Sequence, residues 1–354
     1  MKTLLTVGKY VLLGSLSIFL MWYALKGINF TLVWKQLQHV NYFWIGLSLL
    51  LGLAGYCSRA YRWKMQLEPL GYYLRAFETY HAMMVGYLAN LVLPRAGEVI
   101  RCSILRKTSN VTVKASFGTV ITERLIDMMM LLLLTGAAFL IEFDRIHAFF
   151  WNLFSDKIAG YGTKSEWLYR LGGAFILVSV LTIALFYAFR ANLKRNALYL
   201  KVQDFIKGVG EGIFSILKLK NKTAFGAHTL FVWFTYFLTG YIGFLALPGT
   251  ANLSLGAALS VLVVGSLGMS APVQGGIGVF HIMVRSTLLL YSLPKETGMA
   301  YALVMHTSQT LFVVLLGGIS FLVSMFSRPS IVSGTIPISE SNTTVYDNHS
   351  KQSI

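Results

Sequence analysis

The sequence predicts an all-α, polytopic membrane bundle, with about 6–8 spanning helices and re-entrant or broken helices near 77–94 and 254–293. Three observations carry this. Of 354 residues, 55% are hydrophobic and only 12% charged, whereas a soluble domain is about 25% charged. Several apolar runs reach the roughly 20 residues needed to cross about 30 Å of hydrocarbon. The ten-residue alternation of a β-barrel is missing. The runs fall near 4–25, 42–60, 77–93, 116–141, 171–189, 228–248, 253–271, 276–293 and 299–326. They divide the chain into a membrane domain, 1–326, and a polar tail, 327–354, too poor in core residues to fold alone.

The run 4–25 is expected to be a retained helix rather than a signal peptide. It is long, lacks a small-residue cleavage site and ends in Trp22-Tyr23, which suit an interface. The run 42–60 leads into Arg59, Arg62 and Trp63, expected at a membrane–cytosol interface. For those arginines a snorkelling anchor is the default, and a bidentate contact to lipid phosphate is the alternative.

The run 77–93 carries Glu78, His81 and Asn90 and stops at Pro94. Both flanks are basic: Arg59, Arg62, Lys64 and Arg75 before it, Arg95, Arg101, Arg106, Lys107 and Lys114 after it. A full crossing would put one cluster outside, so a re-entrant element suits the charge bias better. Irregular backbone at that depth requires cover by protein or a water-filled cavity. The run 116–141 carries Glu123 and Asp127, one helical turn apart, with Arg124 between them. Carboxylates so placed need a cation or a proton. Arg101, Arg95 and Arg124 are the candidate partners. A structural ion network and a substrate or proton site stay open as readings, with acid–base catalysis a weaker third.

The segment 142–170 balances four Lys/Arg against four acids and is assigned outside. The segment 190–222 sets eight Lys/Arg against Asp204 and Glu211 and is assigned to the cytoplasm. Its stripe of Leu198, Val202, Phe205, Val209, Ile213 and Ile216 predicts an amphipathic helix, on the inner leaflet or packed on the bundle. The N-terminus, the loops 59–75, 95–115 and 190–227, and the tail are cytoplasmic in this scheme. In a bacterial cell, the protein would sit in the inner membrane.

The second broken region is Ser266–Gly278, with four glycines and a proline in thirteen residues. It predicts two short helices meeting at an unwound turn. Paired interruptions in the two halves of a membrane chain point to a transport site, and free amides there could receive an anion. Close helix packing is the bland alternative. His281 and His306 follow, read first as satisfied core histidines. Gly275-Gly-Ile-Gly278 is no nucleotide loop, since no strand precedes it and no Lys-Ser/Thr follows.

The net charge of +16 is dispersed through short loops, which argues for anionic lipid and against nucleic acid. Cys57 and Cys102 show no CxxC or metal spacing and are expected as free thiols. No metal or other cofactor is expected.

At these residues the sequence resembles the membrane domain of the lysyl-phosphatidylglycerol synthase/flippase family. The matching pieces are Arg59-Ala-Tyr-Arg-Trp63, Asn90 through Arg101, Glu123-Arg-x-x-Asp127, and Pro272 through Gly278. The resemblance implies a translocase for an anionic or aminoacylated phospholipid, or a lipid-linked precursor. It implies no aminoacyl transfer, because it covers only the flippase part. Two positions depart from the family pattern: Gln274 stands for a proline, and His281 for a glutamate. In the last helix His306 stands for an arginine. An acid and a base both replaced by His imply one contacting pair exchanged together. The expected substrate-binding residues are Arg59, Arg62, Asn90, Arg95, Glu98, Arg101, Glu123, Arg124, Asp127, Gly275, Gly276, Gly278, His281 and His306. Membrane phospholipids are the expected partners, with a homo-oligomer or an envelope-synthesis partner left open. Two other readings stand beside the translocase: a membrane enzyme acting on a polyprenyl-linked substrate, and a non-transporting subunit of an envelope-synthesis complex.

Overall fold

The computed structural model describes residues 2–145 and 218–327, with side chains from Gly14 onward. The span near 171–189, the tail, and most of the segments 142–170 and 190–222 lie outside the described residues. Within them the chain is helical, with no strand.

Helix α1 (Lys2–Leu25) breaks at Gly27, whose φ is 73°. Helix α2 (Phe30–Gln38) leaves at 90°. Asn29 caps α2, its Oδ1 accepting the Thr31 and Leu32 amides at 3.0 and 3.4 Å. Helix α3 (Tyr42–Leu67) starts from the Asn41 cap. Helices α4 (Ala76–Val92) and α5 (Gly97–Ser109) form a hairpin, and α6 (Val113–Ile141) follows. After the undescribed segment come α7 (Lys222–Leu245), α8 (Leu255–Met269), α9 (Val279–Leu289) and α10 (Lys295–Phe326). Four of these elements, covering 42–70, 113–141, 222–245 and 295–326, are long and apolar enough to span. The bent α1–α2 pair could make a fifth among the described residues.

Two sequence expectations need correction. Residues 59–67 are the last turns of α3 rather than a loop. Their buried side chains, Arg59, Arg62, Trp63, Gln66 and Leu67, keep the helix inside the bundle. Residues 97–109, read as part of a loop, form α5. Its polar side chains conceal a helix whose one face, with Arg101, Cys102 and Leu105, is buried.

The two ends of the bundle are set by side-chain ties. At one end, the C-terminus of α3 meets the start of α4, the end of α5 and the start of α6. Tyr72 OH lies 3.1 Å from Thr112 Oγ1, and Ser109 Oγ donates to Glu78 at 3.2 Å. Arg75, Arg106, Lys107, Lys114 and Lys222 gather here, so this is the basic end. At the far end, the Asn41 amide donates to the Ala246 carbonyl at 2.8 Å, and Lys295 donates to the Gly27 carbonyl. Arg145, just past α6, stacks 4.3 Å from the Tyr291 ring centroid.

The hairpin α4–α5 starts and finishes at the basic end. The hairpin α8–α9 starts and finishes at the far end. Helices of 17, 13, 15 and 11 residues are about 26, 20, 23 and 17 Å long at 1.5 Å per residue, too short to cross singly. Their tips meet inside the bundle. Gln274 Nε2 donates to the Val92 carbonyl at 3.2 Å, and Arg95 donates to the Ser270 carbonyl.

Glycine permits the first hairpin. Gly86 and Gly97 let α4 and α5 touch backbone to backbone, and a Cβ on Gly97 would lie 2.1 Å from the Gly86 oxygen. Asn90 Oδ1 then accepts the Gly97 amide at 2.7 Å and satisfies a first-turn donor of α5. Gly97→Ala should therefore destabilise the protein by about 1–3 kcal/mol through forced backbone displacement. Gly46→Ala, whose Cβ meets nothing within 4 Å, should be neutral or gain about 0.5–1 kcal/mol. Thermal midpoints of the detergent-solubilised proteins check both, and equal midpoints would refute the close contact.

Candidate substrate site

One face of α3 repeats small and polar residues at alternating spacings of four and three: Ser48, Gly52, Gly55, Arg59, Arg62 and Gln66, all buried. Gly55 admits α7, since a Cβ there would lie 2.6 Å from Thr235 Oγ1, and Gly52 faces Gln309 of α10. The arginines then face α6. Arg59 Nε sits 2.5 Å from Glu123 Oε1, and its Nη2 is 2.8 Å from Asp127 Oδ2. Arg62 Nη2 lies 2.8 Å from Asp127 Oδ1 and 3.3 Å from Glu123 Oε1. Tyr236 and Thr229 of α7 accept the remaining Nη1 groups at 3.0 and 3.4 Å. Glu123 and Arg62 are fully buried.

Arg101 enters from α5. Its Nη2 is 2.8 Å from Glu123 Oε2, and its guanidinium lies 4.7 Å from the centroid of the Trp63 ring. Trp63 is held in turn by Nε1 donating to Thr119 Oγ1 at 2.9 Å. The Arg101–Glu123 approach is close but poorly directed. None of the three Arg101 nitrogens makes a hydrogen bond to the described residues, although the side chain is only 3% exposed. Charge and stacking hold this guanidinium, with Nη2 against Glu123 and with Nε and Nη1 uncommitted among the described residues. Three arginines face two carboxylates, leaving one surplus positive charge. Arg59 is eight residues from the end of α3, and Glu123 ten residues from the start of α6. The cluster thus lies about 12–15 Å inside the basic end.

The sequence model described as the lysylphosphatidylglycerol synthase TM region matches residues 9–317. The chain belongs to this family. No curated protein and no solved structure matches it. The matched range contains the ion cluster and both hairpin tips.

Several expectations change at the site. Arg59 and Arg62 are not snorkelling anchors, because Glu123 and Asp127 draw them into the bundle. Of the three cations expected beside the carboxylates, only Arg101 is there. Arg124 turns outward to Glu98, with a 2.6 Å ion pair and a side chain 46% exposed. Arg95 is exposed, has φ 60°, and ties the hairpin tips instead. Asn90 serves the α4–α5 turn. Trp63, Thr229 and Tyr236 were missed as members of the site. The regular small-polar stripe on α3 was the available signal.

At the glycine turn Gly275, Gly276 and Gly278 have φ of 56°, 75° and 82°, a region open mainly to glycine. The Gly276 amide donates to the Val273 carbonyl at 3.5 Å and that of Gly278 to His281 Nδ1 at 3.4 Å. Two of the three amides expected to face an anion are therefore engaged within the turn. His306 Nε2 lies 2.8 Å from the Gly275 carbonyl, an acceptor, so this nitrogen carries the hydrogen. The rings of His281 and His306 are 4.8 Å apart, which makes the two positions neighbours. Cys57 and Cys102 are free thiols, as expected, and Cys102 packs in one cluster with Trp63. Among the described residues no three His, Cys, Asp or Glu side chains converge on a metal position.

The two ion-pair systems should respond differently to mutation. Glu123→Gln leaves three buried arginines facing one carboxylate and should cost about 3–5 kcal/mol, seen as a sharp loss of monodisperse protein. Arg124→Ala breaks an exposed pair and should cost under about 1 kcal/mol. Size-exclusion profiles after mild heating compare them, and the reverse order would contradict the geometry.

Proposed function

We propose that this protein translocates a phosphate-bearing phospholipid, anionic or aminoacylated, or a lipid-linked precursor, between membrane leaflets. The observation that carries the reading is Arg101: buried, stacked on Trp63, and without a hydrogen-bond partner for its guanidinium. A phosphate leaving water must keep its hydrogen bonds or lose several kcal/mol per group. Arginine's planar fork supplies two such bonds together with charge. The surplus positive charge of the cluster favours an anion in the same place.

The path follows from the hairpins. A headgroup approaching from the basic end reaches the cluster beside α5 while its acyl chains stay in lipid. The joined tips, Arg95 on Ser270 and Gln274 on Val92, close the way to the far end. Parting the tips and closing the basic end would expose the headgroup to the other leaflet. Neither step asks the protein to make or break a covalent bond, so we do not assign it an enzyme activity. Membrane phospholipids are its partners in this reading. The charge distribution supports placing the basic end and both termini in the cytoplasm, in the cytoplasmic membrane of a bacterial cell.

Two measurements test the proposal. In vesicles containing the purified protein, Arg101→Gln should slow transfer of a fluorescent phosphatidylglycerol by at least about tenfold, the loss of one charge-assisted hydrogen bond. An unchanged rate in folded protein refutes the site. Absence of transfer by the unaltered protein would favour a non-transporting subunit. For orientation, a cysteine at Ser292 should react with an impermeant thiol reagent added outside cells, and one at Lys218 should not. Labelling at Lys218 alone would invert the scheme.

A further inference from the structure

The far end of the bundle holds cations that the cluster does not use. Arg285 lies on α9, less than two turns from the glycine turn, where α1, α9 and α10 meet. A Cβ on Gly298 of α10 would sit 3.4 Å from the Arg285 backbone, so the two helices close tightly there. Arg285 Nη1 donates to the Ala24 carbonyl at 2.6 Å. Its Nε is buried with no hydrogen-bond partner. Among the described residues no carboxylate lies within 4.0 Å of it. His281 stands one turn nearer the membrane centre on the same helix face.

Lys295 and Lys26 share this junction. Lys295 donates to the Gly27 carbonyl, and Lys26 Nζ lies 5.5 Å over the Trp22 ring. The acid at hand is Glu296, whose carboxylate accepts the Asn29 amide at 3.4 Å. Among the described residues, three cations therefore stand with one acid at this junction, on the end that the charge bias assigns to the outside, where Lys and Arg are normally sparse. Unpaired carbonyls at the end of α1 explain part of this, since a helix C-terminus attracts cations. They account for Arg285 Nη1 and for Lys295. They leave the side-on edge of the Arg285 guanidinium, Nε with Nη2, uncommitted, and that edge matches two oxygens of a phosphate.

We propose that Arg285 is a second lipid-phosphate site, serving the leaflet at the far end as Arg101 serves the basic end. It rests on the translocase reading, for it gives the transported headgroup a station on each side of the joined tips. A photoactivatable phosphatidylglycerol with its reactive group near the phosphate tests it directly. Incubated with the unaltered protein in phosphatidylcholine vesicles, it should label the peptide containing Arg285 as well as α5. Arg285→Gln should lower labelling of α9 about tenfold, consistent with one lost charge-assisted hydrogen bond, and leave labelling of α5 unchanged. Arg285→Lys should restore part of it. Absence of label on α9 in the unaltered protein overturns the proposal, even if Arg285→Gln fails to fold. Equal labelling of the Arg285→Gln protein overturns it too, and so does displacement of the probe by inorganic phosphate, which would mean a site for soluble anions. Labelling is read without transport, so an unchanged transfer rate for Arg101→Gln strikes the translocase reading separately.

Discussion

Burial of Arg59 and Arg62 against Glu123 and Asp127 sets the terms for the rest of the structure. A single charged side chain at mid-membrane costs about 2.5–3.5 kcal/mol on insertion scales. Four of them at one depth are tolerable only when all pair at once. That condition fixes α3 and α6 in register, because sliding either helix by one residue separates the guanidinium and carboxylate pairs. It also recruits α7, whose Thr229 and Tyr236 occupy donors the carboxylates do not reach. Gly52 and Gly55 lie on the same face of α3 as the arginines, and the absent side chain at Gly55 lets α7 approach. The network thus selects helix contacts as well as stabilising them. The fifth charge, Arg101, joins this frame through Glu123 and Trp63 without completing its hydrogen bonds.

Placing Arg101 is the work of the first hairpin. A spanning helix would carry its polar face through the whole membrane, whereas a hairpin that turns back can present polar side chains at mid-depth and return to the same surface. The sharp turn at Pro94 and Arg95, the Gly86–Gly97 contact and the Asn90 cap together make that return possible. The second hairpin solves the same problem from the far end with positive-φ glycines. Irregular backbone at this depth must satisfy its own polar groups. Each tip does so partly through the other: the Val92 and Ser270 carbonyls accept from Gln274 and Arg95. Parting the tips would release these bonds, so open states would need water or ligand to replace them.

Much of this was legible in the sequence. Pro94 and the basic flanks of 77–93 marked the first hairpin. The glycines of 275–278 marked the second. The i,i+4 carboxylates marked the buried charge. Partner identity was not legible, because Arg59 and Glu123 are 64 residues apart and spacing carries no information across a fold. Proximity in sequence drew attention to Arg124 and Arg95 instead. Arg124 neighbours Glu123 in the chain yet leaves α6 from a different face, toward Glu98, since adjacent residues on a helix are turned about 100° apart. α5 was hidden for a different reason: its many polar side chains resemble those of a loop, and only tertiary burial of one face keeps it helical. The contact between His281 and His306 was anticipated from the family pattern rather than from any periodicity.

The division of labour between the two tips bears on what kind of headgroup the proposed site would favour. At the glycine turn, the Gly276 and Gly278 amides are already bonded and the His306 Nε2 hydrogen is spent on the Gly275 carbonyl, so this side has few neutral donors left to offer. Around Arg101 the balance is reversed, with Nε and Nη1 lacking partners and Nη2 held only by its ion pair to Glu123, beside a net positive charge. Uncommitted donors in a low-dielectric interior are costly until filled, and a neutral hydroxyl or a zwitterion's ammonium would fill them poorly. A phosphate oxygen supplies both acceptors and compensating charge. In the translocase reading proposed above, selectivity for the phosphate, with tolerance for whatever is attached to it, would follow from the arginine keeping free N–H groups while the backbone is spent on its own turn.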